Sequence, residues 1–177
     1  DWGALVTLYL TSVRRRNDKL DECRSRRIRI IDGVKDGTQS EIEGHITSAD
    51  AVIDAVLGTG HNRPLGSQIQ TVFRHVAHVK SQRPSIECIA IDIPSGLDGD
   101  SGACDGVCFQ ATATLALGAP KTGLYIFPGA ENVGYIHILD IGLTAQRDEY
   151  RFLELNDSGV ARTLLPKRTV DSHKGSF

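Results

Sequence analysis

What most restricts the fold of this chain is a recurring unit: a short apolar run closes on a glycine-bearing loop, and a helix-forming stretch follows. Residues 50 to 57, Asp-Ala-Val-Ile-Asp-Ala-Val-Leu, close on Gly58-Thr59-Gly60, and residues 86 to 93 close on Pro94-Ser95-Gly96. Between them Ile69, Val72, Phe73, Val76 and Val79 recur with helical period, which predicts an amphipathic helix of about four turns after Pro64. Residues 4 to 10 and Ile28 to Ile31 predict two earlier strands. A helix over 17 to 26 lies between them, and another around Glu41 to Thr47 follows an Asp32-Gly33 turn. Val107 to Leu117 and Tyr135 to Ile141 predict two later strands, separated by a Pro/Gly-rich loop from Gly118 to Gly129. Alternation of this kind predicts an α/β fold, a three-layer αβα sandwich with a mostly parallel sheet. Such sheets bind ligands beyond the C-terminal ends of their strands, where both glycine loops fall.

The 177 residues suit one domain with a sizeable core, and 40% hydrophobic with 24% charged residues fits a folded globular chain. A formal charge of −2 gives no general attraction to nucleic acid or anionic membranes. No apolar run approaches the roughly 20 residues of a membrane-spanning helix, and no signal peptide is recognisable, so a cytoplasmic location is expected. Cys23, Cys88, Cys104 and Cys108 have neither redox-pair nor zinc-knuckle spacing and are expected to be structural thiols. The sequence opens on Asp1 rather than methionine and stops at Phe177 after Gly-Ser, so both ends read as cut. After Gly142 the composition turns polar. A short helix is expected over Ser158 to Leu165, and an extended basic tail from Pro166.

Three segments carry candidate chemistry. Asp54 precedes the loop Gly58-Thr59-Gly60-His61-Asn62-Arg63-Pro64, where two glycines let the backbone approach a ligand and bare amides precede a helix. Arg63 stands where a dinucleotide fingerprint has its third glycine, so an anion-binding loop and a simple turn both remain open. In Asp92-Ile93-Pro94-Ser95-Gly96-Leu97-Asp98 a carboxylate sits near a strand end, and a buried strand rarely carries one without a partner or a task. Capping by Ser95 or Asp98 is the competing reading. Lys121, in Gly118-Ala-Pro-Lys-Thr-Gly123, would be a solvated surface lysine unless an anion meets it.

The ordered series V-I-D-A-V-L-G-T-G, I-D-I-P-S-G-L-D, G-A-P-K-T-G-L, P-G and D-I-G-L resembles the YjeF N-terminal domain family, the NAD(P)H-hydrate epimerases. The likeness covers nearly all of residues 1 to 143, and the tail D-S-H-K-G-S-F looks like the opening of an ADP/ATP-dependent NAD(P)H-hydrate dehydratase domain. It implies a Rossmann-like fold and three regions. These are an epimerase domain over 1 to 145 that lacks its N-terminal part, a helix and linker over 146 to 170, and the start of the dehydratase over 171 to 177. It implies a potassium ion held partly by Asp54 and Ser95. The substrate, hydrated NAD(P)H (NAD(P)HX), would be contacted by Gly58, Thr59, Gly60, His61, Asn62, Arg63, Pro64 and Asp92, with Asp92 as the acid/base. ADP or ATP would serve the dehydratase. The implied partner is a small-molecule nucleotide, with no nucleic acid and no membrane, and assembly into a homo-oligomer stays open.

Two departures from the family pattern stand out. Its N-N-G-G-D-G segment would lie upstream of Asp1, which argues against activity of this piece alone, and Thr112 occupies a position where relatives commonly carry aspartate. Two other classes compete. One is a non-catalytic binding module, since the same fold serves in an mRNA-decapping enhancer. The other is an ordinary NAD-dependent oxidoreductase, disfavoured by the missing G-x-G-x-x-G and its downstream acid. His75 and His78, three apart on the long helix, are expected to be surface or satisfied histidines rather than zinc ligands, and the arginines of 14 to 16 and 24 to 29 a solvated rim.

Overall fold

The computed structural model describes residues 3–12, 17–60, 64–104, 106–143, 158–165 and 173. They divide into two units, Asp1–Leu143 and Thr144–Phe177. In the first unit the elements run β1 (Thr7–Leu10), α1 (Asp18–Ser25), β2 (Arg29–Asp32), α2 (Ser40–Ser48), β3 (Ala51–Asp54), α3 (Ser67–Gln82), β4 (Glu87–Ile91), β5 (Ala113–Leu117) and β6 (Tyr135–Leu139). Two short 3₁₀ turns, Thr122–Tyr125 and Gly129–Asn132, connect β5 to β6. The second unit contains α4, Ser158–Leu164, where the sequence places a short helix. No helix among the described residues is long and apolar enough to cross a membrane.

Every described strand pairing is parallel, but the strands fall into two sheets rather than one. β1 pairs with β2, and β3, β4, β5 and β6 form a second sheet in that order. One apolar cluster spans both, holding Tyr9 and Ile31 of the smaller sheet together with Val52, Cys88 and Ala90 of the larger, while Ala116 of β5 and Ile136 of β6 belong to a second cluster with Ile93, Leu97, Leu124 and Val133. The centre of the first cluster is α3. Its apolar stripe of Ile69, Val72, Phe73, Val76 and Val79 is buried throughout, each side chain contributing about 1.5–3 kcal/mol on burial. The ring of Phe73 meets Phe109 edge-on, with centroids 5.1 Å apart.

Strands are shorter than their apolar runs: β1 starts only at Thr7, β4 covers Glu87–Ile91 and β6 stops at Leu139, and for β5 and β3 the physical reason is visible. The run from Val107 is strand only from Ala113, because Phe109 is wholly buried against α3 and its amide is bonded to the carbonyl of Ser95. Apolar composition there records burial in the core outside the sheet. The run from Asp50 to Leu57 is strand only to Asp54, since the amides of Val56 and Leu57 turn to the side chains of Asp54 and Ser95. Thr112 preserves the polar network at the start of β5: its hydroxyl donates to Glu87 Oε2 at 2.8 Å and accepts from the amide of Cys88 at 3.0 Å.

Candidate functional site

Parallel pairing brings the ends of β3, β4 and β5 side by side, with Asp54 opposite Ala90 and Ile91 opposite Leu115. The chemistry-bearing side chains follow immediately. Asp54, only 2% exposed, accepts three hydrogen bonds: from Ser95 Oγ at 2.7 Å, from the amide of Ser95 at 2.7 Å and from the amide of Val56 at 3.1 Å. Ser95 Oγ in turn accepts from the amide of Leu57 at 2.9 Å. Burial pushes the Asp54 carboxyl above its ordinary value, and the Ser95 and Val56 donors oppose that rise. Ser95 therefore caps no helix. It ties the end of β3 to the loop after β4.

The loop after β4 owes its path to Gly96, which lies at φ +95° with the carbonyl of Val107 and the Cα of Cys108 close against it. Asp98 caps a turn rather than a helix, accepting from the amide and hydroxyl of Ser101 at 2.7 and 2.6 Å. These donors hold its exposed carboxyl below its ordinary value. Cys108, beside this loop, has its thiol pushed up by burial and by the neighbouring Cys104.

Asp92 sits at φ +72°, a left-handed conformation uncommon outside glycine and shared with Arg27 and Gln39. Its amide donates to the carbonyl of Leu115 at 2.9 Å. Oδ1 accepts from the amide of Leu117 at 3.2 Å and from Lys121 Nζ, so Lys121 is not the solvated lysine that its isolation in sequence suggested. Oδ2 faces the glycine turn, since a Cβ placed on Gly58 would come within 3.7 Å of it and would touch nothing else within 4 Å.

Asp54, Ser95, Asp92 and Gly58 thus meet at one sheet edge. Thr59, Gly60 and Pro64 are exposed along the same loop, while His61, Asn62 and Arg63 lie outside the described residues. A shallow, open depression of about 330 Å³ lies at the first turn of α3, lined by Gly33, Gly37, Gln39, Ser67, Gln68 and Thr71. Sequence reasoning did not single out this depression, nor the ion pair between Lys121 and Asp92. The available signal was that Asp92 and Lys121 both follow the C-terminal ends of strands that prove adjacent. No group of three or more metal-ligating His, Cys, Asp or Glu side chains occurs among the described residues. His75 instead lies 3.9 Å from Glu43 and 3.5 Å from the Thr47 hydroxyl.

This arrangement can be compared with known proteins. Residues 5–123 match the family described as YjeF-related protein N-terminus. The chain belongs to that family. Within it, the chain is 35% identical over 131 residues to the bifunctional NAD(P)H-hydrate repair enzyme Nnr of Moorella thermoacetica, covering 73% of this chain and 24% of that protein. It is 34% identical over 100 residues to the NAD(P)H-hydrate epimerase of Rhodopirellula baltica, covering 56% of this chain and 39% of that one. The crystal structure of yeast ynu0 superposes with a TM-score of 0.58 at 12% identity, covering 77% of this chain and 54% of the yeast one, which supports the fold. The chain spans about a quarter of the length of the bifunctional relatives it matches.

Proposed function

We propose that this domain interconverts the S and R forms of hydrated NAD(P)H, with Asp92 transferring the proton. The observation that carries the proposal is the state of that carboxylate. It is held in a left-handed backbone and engaged through Oδ1, while Oδ2 makes no hydrogen bond among the described residues and faces a glycine at which a ligand can come close. The names of its relatives, repair enzymes and epimerases for NAD(P)H hydrate, give the substrate class.

The reaction inverts a carbon that bears a hydroxyl beside a ring nitrogen. With the proton relayed at Asp92, that hydroxyl leaves as water while the nitrogen lone pair forms a C=N bond. Water then adds to the opposite face and returns a proton to Asp92. The exposed Gly58–Gly60 turn and the first turn of α3, which no side chain caps, suit the cofactor's pyrophosphate. The depression beside Ser67 and Gln68 offers room for a further part of the nucleotide.

Potassium fits the donor chemistry at Asp54 and Ser95. Both present hard oxygens, and a buried carboxylate raised in proton affinity by desolvation is one that a cation would stabilise. Asp54 and Ser95 would hold the ion through side-chain oxygens that in this structure are engaged with each other and with the amides of Ser95, Val56 and Leu57, and it would supply positive charge near the cofactor phosphates. These two side chains alone fall short of a full oxygen shell. The region after 145 we read as a helix and linker leading to a dehydratase that uses ADP or ATP, and the protein as cytoplasmic.

Asp92→Asn in the full-length protein tests the proposal. Epimerisation of R-NAD(P)HX, followed by chromatography, is expected to fall by about 100-fold or more while a cofactor analogue still binds. Unchanged turnover removes Asp92 from the reaction.

A further inference from the structure

Two oxygens of one carboxylate are chemically equivalent until their surroundings distinguish them, because the terminal torsion of an aspartate is broad and roughly two-fold. At Asp92 the surroundings are strongly unequal. Oδ1 is engaged by Lys121 Nζ and by the amide of Leu117, while Oδ2 faces Gly58. The ammonium of Lys121 is anchored too, donating to the carbonyl of Leu117 at 3.1 Å. Its stem runs beside Gly99, where a Cβ would come within 3.7 Å of both Lys121 Cβ and Cγ. Side-chain exposures of 22% for Lys121 and 17% for Asp92 put this pair at the margin of the core rather than in open solvent, so it is less screened than a surface pair.

We propose that Lys121 is a positioning residue, which by occupying Asp92 Oδ1 commits the carboxylate to exchange its proton through Oδ2, on the side of the glycine turn. The inference rests on the epimerase reading of Asp92 and adds which oxygen reacts and what selects it. Phosphate binding is the other role open to a lysine at a nucleotide site. Lys121 is poorly disposed for it, since two of its three N–H donors already point at Asp92 and Leu117. Arginine carries the same charge and can still donate to Oδ1, whereas methionine keeps only the apolar stem.

Lys121→Met, Lys121→Arg, Asp92→Asn and the Lys121→Met/Asp92→Asn double variant in the full-length protein provide the test. Each is assayed for epimerisation of R-NADHX across substrate concentrations and for thermal unfolding. Loss of positioning predicts that Lys121→Met lowers kcat by about 10- to 100-fold with KM within about twofold, and that Lys121→Arg restores most of the loss. The double variant should be no slower than Asp92→Asn alone, since Lys121 acts through Asp92. Full kcat in Lys121→Met overturns the inference, as does a raised KM with kcat intact, which would assign Lys121 to substrate phosphate. If Lys121→Met does not fold, Lys121→Gln takes its place under the same criteria. The underlying reading fails separately, by turnover of Asp92→Asn. An inactive Asp92→Asn beside a fully active Lys121→Met removes only the role of Lys121.

Discussion

Replacing Ser95 by alanine removes one oxygen and two hydrogen bonds from the buried junction of β3 and β4. The hydroxyl donates to Asp54 Oδ1 at 2.7 Å and accepts from the amide of Leu57 at 2.9 Å. The first bond is made to a carboxylate, a class worth about 1.5–3 kcal/mol, and leaving an amide unpaired costs a further 1–3 kcal/mol or so. Asp54 keeps its bonds from the amides of Ser95 and Val56, so its charge is not orphaned and the full penalty of a broken buried pair does not arise. The expected loss is therefore about 3–5 kcal/mol. For a domain of this size each kcal/mol moves Tm by about 2–4 °C, so a drop of about 10 °C is expected. Urea denaturation of wild type and variant, with the slope checked for constancy, gives the difference directly. Ser95→Thr retains the hydroxyl and should lose much less. A Ser95→Ala loss below about 1 kcal/mol would mean that the junction is water-filled in solution and that the hydroxyl was never the partner of Asp54.

Gly96→Ala forces a side chain into a left-handed residue with the Val107 carbonyl 2.6 Å from the new Cβ. It should cost more than the roughly 1–2 kcal/mol of the backbone conformation alone, measured as a fall in the urea midpoint. Thiol reactivity should follow burial: Cys23 and Cys104 alkylate first with iodoacetamide at mildly alkaline pH. Cys88 and Cys108, whose thiols are pushed up by burial, lag behind them in mass spectra of the native protein. Asp98 has a folded value below its unfolded 3.8, so its contribution is present above that pH and fades as pH falls through the folded value. Asp98→Asn should therefore be less stable than wild type at pH 7, with the gap closing in strong acid. A constant gap would trace the effect to packing.

The elements of this domain were largely legible from local pattern, because each depends on neighbours in sequence. The stripe of α3 announced its buried face residue by residue, and all five apolar positions are buried. The glycine loops after β3 and β4 marked the edge that carries the candidate site, since glycine and proline punctuate strand ends wherever they occur. Apolar content alone, however, does not separate a strand from a buried loop, and so Val107 to Thr112 looked like strand. Asp54, Asp92 and Ser95 could be named as candidates because polar groups at the ends of apolar runs are conspicuous.

What tertiary structure alone decided was how those groups face one another. Parallel pairing of β3 with β4 places Ser95 on Asp54 across 41 positions of sequence, and pairing of β4 with β5 brings Lys121 to Asp92 across 29. Strand adjacency and register set these contacts, and both come from packing β3 and β4 with α3 and β5 and β6 with a second cluster around Ile93, Leu97, Leu124 and Val133, which no local pattern encodes. Residue types and their spacing thus supplied the candidate residues. The assembled sheet determined which oxygen of Asp92 is held and that the other faces Gly58.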